Sequence, residues 1–450
     1  MKLNGPKIDR TRIGASVLLT VTDRSLPLVR VVVASRLGAA WDPDALPGLH
    51  HIMWQLLLRG TQRRSRHQFN AELERLGSQV DVFMRGETAG LRIDCLKRHM
   101  MPTLELVGEA LAEPAFDSAE RDALVEEEIE RLRSERDEDE TLAAMFWRQL
   151  LYAGHPLARW PEGTPHSLPA IDASAVRRAH ATAVQPEQLV WAAGGDVDTA
   201  ELAHIVEPLL AQLPRSAESV ASLIRPTRSS SPQLLLVDKP GRSQVQLRLG
   251  TLGLAGDCPD LAGFYLATTA FGGTFTSPFT HAVREQRGWS YVACAETTRW
   301  SRLETPWVMT SAPAVEDAVA CLQLELTLFE TFQRGHLDAE ALQLAREFLL
   351  NHFPFEVANA ARMVLPALRL ELLGRPPNSL YEFPGTIEAL SGDAVAASVA
   401  DHLGNAAPRI VMVATAEHVL PKLRQAFAEL PIRVVDYRDG LAAVSGGEHR

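Results

Sequence analysis

Cysteine is scarce in this chain. It has four in 450 residues (Cys95, Cys258, Cys294 and Cys321), with no CxxC pair and no spacing that would frame a disulfide scaffold. They read as reduced thiols in or near cores. Long uncharged runs are also missing. No segment approaches the ~20 apolar residues that a membrane-crossing helix needs, so no membrane role is expected. The opening stretch MKLNGPKIDRTRIG lacks the apolar region of an export signal. The expectation is a cytoplasmic protein, or a periplasmic one if a signal had been removed. An excess of basic residues is absent too: 45 Lys and Arg face 56 Asp and Glu, a formal charge of -11. Non-specific nucleic-acid binding needs a basic stripe to neutralise phosphates, and is therefore not expected. No glycine-rich phosphate loop of either common type occurs.

What is present is ordinary globular material, 46% apolar and 22% charged. A chain of 450 residues is too long for one ordinary core and calls for two or more domains. The Pro- and Ser-bearing stretch near the middle, from Leu213-Pro214 through Arg228-Ser229-Ser230-Ser231-Pro232, reads as a connection. This gives a first lobe over 1–215, a linker over 216–232 and a second lobe over 233–450.

The two lobes end alike. AIDASAV (170–176), a helical stretch, LVWAAGG (189–195), a helix and Leu213-Pro214 are echoed by ALSGDAV (389–395), a helical stretch, RIVMVA (409–414), a helix and Leu430-Pro431. The closing prolines lie 431 − 214 = 217 residues apart, about half the chain, as an internal duplication would place them. Strands are expected at 15–21, 28–36 and 90–95, and LLLVDKP with QVQLRLG opens the second lobe. Helices are expected from about Pro47 to Leu58 and over Ala119–Arg136, the latter acidic at its start, as the helix dipole prefers. The fold class is α+β: two homologous α/β-sandwich-like lobes joined by a linker.

The chemistry-bearing segment is Gly48-Leu49-His50-His51-Ile52-Met53-Trp54-Gln55-Leu56-Leu57-Leu58-Arg59-Gly60-Thr61. It resembles the zinc helix of the insulinase, pitrilysin and mitochondrial processing peptidase family, Gly-Leu-Ala-His-x-x-Glu-His-x-x-x-x-Gly-Thr. In that motif two His one helical turn apart ligate the metal, and the Glu activates water. Aligned on it, His51 is the first ligand, Trp54 stands at the base and Gln55 at the second ligand. An indole has no lone pair to act as a base, and a carboxamide is a poor zinc ligand beside imidazole. His50 cannot substitute, because adjacent helical side chains point ~100° apart. The resemblance places a third ligand on an acidic helix, where Glu120 and Glu127 fit the family's paired glutamates and Glu128 could serve through a one-residue shift. No metal is therefore expected in this chain.

Further along, Phe271-Gly272-Gly273-Thr274-Phe275-Thr276-Ser277-Pro278-Phe279-Thr280-His281-Ala282-Val283-Arg284-Glu285-Gln286-Arg287-Gly288-Trp289-Ser290-Tyr291 is similar to the family's second-lobe signature. Val237-Asp238-Lys239-Pro240-Gly241-Arg242-Ser243-Gln244 is similar to its entry into that lobe, and His155-Pro156 with Gly163 to a structural loop. The resemblance implies that Arg284 and Tyr291 bind substrate opposite a zinc held by another chain. It therefore implies a catalytically incomplete subunit of a heterodimeric zinc peptidase, whose partner is a zinc-bearing paralogue and whose substrate is a peptide. The alternative is a structural or assembly member, comparable to the core subunits of respiratory complexes, or a peptide-binding scaffold without cleavage.

Overall fold

The computed structural model describes residues 5–215 and 220–441. In the first half, β1 (Ile8–Ile13), β2 (Ser16–Thr22), β3 (Leu28–Ser35), β4 (Gln79–Met84), β5 (Ala89–Leu96) and β6 (Leu189–Gly195) form one sheet in the order β1-β2-β6-β3-β5-β4. Its helices are α1 (Leu49–Leu57), α2 (Arg66–Leu76), α3 (Met100–Ala112), α4 (Ser118–Asp137), α5 (Asp139–Leu151), α6 (Ala173–Ala183) and α7 (Thr199–Leu210). The second sheet contains β7 (Gln233–Asp238), β8 (Gln246–Leu252), β9 (Ala293–Thr297), β10 (Pro306–Ser311), β11 (Arg409–Ala414) and β12 (Ile432–Asp436), in the order β12-β7-β11-β8-β10-β9. With it go α8 (Leu261–Gly272), α9 (Pro278–Thr280), α10 (Ala318–Gln333), α11 (Ala339–Glu356), α12 (Ala360–Leu372), α13 (Phe383–Ala389), α14 (Gly392–Leu403) and α15 (Ala416–Ala426).

Five strands of each sheet correspond one to one. β2 pairs parallel with β6 as β7 does with β11. The antiparallel pairs β3–β6, β3–β5 and β4–β5 match β8–β11, β8–β10 and β9–β10. The edge strands break the symmetry: β1 runs antiparallel to β2, whereas β12 is the last strand and runs parallel to β7. The architecture is thus a duplicated α+β lobe.

The central strands are apolar on both faces, as in the Val-rich run of β3, because helices cover each sheet on both sides. One face of the first sheet packs on helices of its own half, including α1, α3, α6 and α7. The other face is covered from the second half: Met363, Val364 and Ala367 of α12 lie on Val32, Val190 and Ala192. The reciprocal holds. Leu142, Phe146 and Leu150 of α5 lie on Leu235, Val237, Val411 and Val413 of the second sheet. Each lobe lends the other the helix that closes its sandwich.

Of the expected linker, 216–219 lie outside the described residues, and 220–232 form neither helix nor strand. This strap is held in place. Trp41 Nε1 donates to the Ala221 carbonyl at 3.0 Å, and Arg228 donates to the carbonyls of Leu252, Gly253 and His402 at 2.8, 2.6 and 2.8 Å. His155 Nε2 lies 2.7 Å from the Ile224 carbonyl oxygen.

Candidate functional site: a rewired zinc helix and an arginine between two rings

Helix α1 begins where Gly48 adopts φ +90°. A Cβ there would sit 2.8 Å from both the Gly163 Cα and a Leu168 methyl, so the loop bearing Gly163 packs directly on the helix start. Buried Asp42 caps the helix from outside, accepting hydrogen bonds from the Gly48 and His50 amides at 2.7 and 2.9 Å. His50 Nδ1 lies 2.6 Å from the same carboxylate. His50 is thus occupied with anchoring α1 and is turned away from any shared site with His51.

His51 is buried, and its Nε2 lies 3.0 Å from Glu128 Oε2 on α4. Arg131 Nη2 is 2.5 Å from the same carboxylate oxygen. Burial opposes ionisation of Glu128, but His51 and Arg131 outweigh it and hold the carboxyl down to about 2. Trp54 is 0% exposed and packs in the core beneath the first sheet, its indole nitrogen without a hydrogen-bond partner among the described residues. Gln55 is half-buried on the same helix.

Of the two acidic positions expected from the seven-residue spacing, neither faces His51. Glu127 is paired with Arg59, and Glu120 lies 3.5 Å from Arg59 and 3.3 Å from Arg66. Arg59 enters the exit of α1 with its side chain 10% exposed, and its hydrogen bond holds the Glu127 carboxyl below its ordinary range. Arg59 was not singled out from the sequence. Its guanidinium pairs with both glutamates.

The donor set therefore does not fit a zinc ion. His51 faces a single carboxylate, with neither ring nitrogen in a well-formed hydrogen bond among the described residues, Glu120 and Glu127 are paired with arginines, and an indole fills the position of the base. Among the described residues, one other grouping collects potential ligands: Cys258, Asp260 and His402. His402 Nε2 is 2.8 Å from Asp260 and 3.9 Å from Cys258 Sγ, on elements remote in sequence from α1.

In the second lobe, α8 ends at Gly272, where a Cβ would come within 2.6 Å of the Ala295 side chain on β9. The chain turns through α9 and then closes an i→i+5 hydrogen bond, Gln286 N to His281 O at 2.9 Å. Such π-turns are frequent at functional sites. Arg284 sits in this turn. Its guanidinium carbon lies 4.6 Å from the Tyr291 ring centroid and 5.1 Å from that of Phe275. Both rings are exposed, Tyr291 by 79% and Phe275 by 74%. The nearest carboxylate, Glu285, is 3.6 Å away. A guanidinium held by ring faces keeps its N–H edge available for an acceptor. Phe275 lies nine residues before Arg284 in the same motif, and that spacing alone does not reveal their pairing.

Comparisons with known proteins identify the family and the fold. The model of the insulinase domain (peptidase family M16) matches residues 17–159, and that of the peptidase M16 inactive domain matches residues 170–349. An uncharacterized zinc protease of Mycobacterium leprae is 25% identical over 286 residues, 61% of this chain and 62% of the relative. The chain thus spans about three-fifths of that relative's length. The non-peptidase homolog YmxG of Helicobacter pylori is 21% identical over 369 residues, 81% of this chain and 84% of the relative. Among solved structures, a peptidase M16 inactive domain from Pseudomonas fluorescens superposes with TM-score 0.84 at 22% identity, covering 91% of this chain and 98% of that one. A protease from Helicobacter pylori gives 0.83 at 13%, covering 91% and 100%. These structures share the fold. The chain belongs to the insulinase family, peptidase family M16, as a member whose paired-histidine motif is not intact.

Proposed function

We propose that this chain is the non-zinc subunit of a two-chain peptidase, supplying Arg284 and Tyr291 to a peptide held against a zinc-bearing paralogous partner. The observation that carries the reading is the contrast between the two motifs. The zinc positions are refilled by Trp54, Gln55 and the Arg59 pairings, while the half-buried Arg284 stays stacked on the exposed Tyr291 ring, with no carboxylate closer than 3.6 Å among the described residues. A guanidinium and a phenol are donors suited to a peptide carbonyl on which negative charge develops. The metal and the water-activating carboxylate would come from the partner, so their loss here leaves the joint site complete.

A scaffold or peptide-carrier role without cleavage is the competing reading, and it assigns the exposed cation–ring cluster no chemistry. Mixing the purified chain with a zinc-bearing paralogue separates the two. Under the proposal, peptide cleavage exceeds that of the paralogue alone and falls on the order of 100-fold with Arg284→Ala or Tyr291→Phe. Equal activity of these variants with the unmodified chain favours the scaffold.

A further inference from the structure

The two exchanged helices meet around a cavity of about 340 Å³ between the lobes. Its walls come in equivalent pairs. The β4–β5 turn brings Arg85, and the corresponding β9–β10 loop brings Arg302. Helix α5 brings Arg148, and α12 brings Arg369. Arg148 lies nine residues after Asp139, the start of α5, and Arg369 nine residues after Ala360, the start of α12. The duplication has thus placed an arginine at the same helical position on both sides of the pseudo-twofold axis. Arg36 and Trp300 complete the relevant wall.

Positive charge in this cavity exceeds negative: five arginines line it beside one carboxylate, Glu87. Among the described residues, no carboxylate lies within ion-pairing distance of Arg85, Arg148, Arg302 or Arg369, and Arg36 has only Glu371 at 3.8 Å, an acid already bonded to Arg10 at 2.7 Å. The one acid in the wall, Glu87, is tied by the Ser301 hydroxyl and the Arg302 amide, and burial raises its pKa. Burial lowers the pKa of the Arg36 guanidinium despite the opposing pull of Glu371, with Arg302 adding to the fall, and burial with Arg85 and Arg299 lowers that of Arg369 against the pull of Glu356. Gathering cations of one sign at a lobe junction costs free energy unless an anion joins them. The net charge of -11 makes such a concentration stand out.

We infer that this cavity is an anion site on the internal pseudo-twofold axis, built for a small multiply charged oxyanion such as a di- or triphosphate or a polycarboxylate. Guanidinium forks suit phosphate and carboxylate oxygens in bidentate fashion. The volume falls in the range of small-ligand sites, about 300–1,000 Å³. Because the arginines come from both lobes, the bound anion would clamp one lobe to the other. None of these residues belongs to α1 or to the Arg284 cluster, so the inference stands apart from the peptidase reading.

Titration calorimetry and thermal melting of the full chain, with pyrophosphate and with citrate at constant ionic strength, provide the test. The expected result is one saturable site per chain and a rise in Tm that chloride at matched ionic strength does not produce. Tighter pyrophosphate binding assigns a phosphate ligand, and tighter citrate binding a polycarboxylate. Arg85→Met and Arg302→Met, both at exposed positions, should each weaken binding at least tenfold. Without anion they should leave Tm unchanged or higher, since each removes like-charge repulsion. Absence of saturable binding by either anion, or equal affinity in both variants, overturns the inference.

Discussion

Two buried glutamates show how the same side chain is driven in opposite directions by its neighbours. Glu128 meets His51 and Arg131 and stays ionised down to about 2. Glu325, fully buried on α10 beside Ser311 and Cys321, has no cationic partner among the described residues, and burial pushes its pKa up to about 7. The consequences for stability have opposite signs. Glu128 contributes stability that is present above its ordinary 4.5 and is lost as pH falls toward 2. Glu325 holds its proton in the fold but releases it near 4.5 when unfolded, so stability declines as pH climbs from 4.5 to 7. That decline should amount to about 3 kcal/mol, and Glu325→Gln should remove it. Urea unfolding at pH 5 and pH 8 checks this: the variant should gain on the unmodified protein at pH 8, and parallel curves at both pH values would contradict it.

Among the elements, those with a strong local pattern were legible. The β-branched run at 28–36 became β3, and 409–414 became β11 with the expected bounds. The segment 47–58 became α1, bounded by Gly48 at its start. The roles of α5 and α12 were not legible. An amphipathic helix announces an apolar face, but not which sheet will cover it, and each of these packs on the sheet of the opposite lobe. The same limit applied on α4. Seven-residue spacing pairs Glu120 with Glu127 and leaves Glu128 open as the one-residue alternative, and it is Glu128 that lies beside His51. Arg59 and the five cavity arginines carried no signal, because each group is assembled from separated segments. Lys239, in the DKPG segment, shows what such a motif does physically. Its ammonium reaches Asp139 Oδ1 at 2.5 Å and the Asp137 carbonyl at 2.6 Å, pinning β7 to the α4–α5 junction of the other lobe. The lysine is buried, while Asp139 is part-buried and keeps Arg242 at 3.5 Å, so Lys239→Met should cost about 1–3 kcal/mol in chemical denaturation. A loss below about 1 kcal/mol would mean that solvent, not the lobe contact, satisfies the charge.

Viewed as a whole, the molecule is a duplication whose halves cannot be taken apart cleanly. Each exchanged helix buries several large apolar side chains on the opposite sheet, each worth about 1.5–3 kcal/mol, and the sum approaches the total stability of a typical domain, about 5–15 kcal/mol. The lobes should therefore unfold in a single calorimetric transition, and 1–215 or 233–450 expressed alone should expose the uncovered sheet face and aggregate. Two resolved transitions would show that the exchange is energetically minor. At the positions of the zinc motif this chain carries an indole and a carboxamide, with arginine–glutamate pairs alongside, while Arg284 of the second lobe lies between two exposed rings. The most direct measurement on that point is the zinc content and peptidase activity of the purified full chain after dialysis against buffer with micromolar zinc. The account predicts zinc far below one equivalent and no cleavage by the chain alone. One zinc per chain, bound through His51 and accompanied by cleavage that Glu128→Gln abolishes, would contradict it.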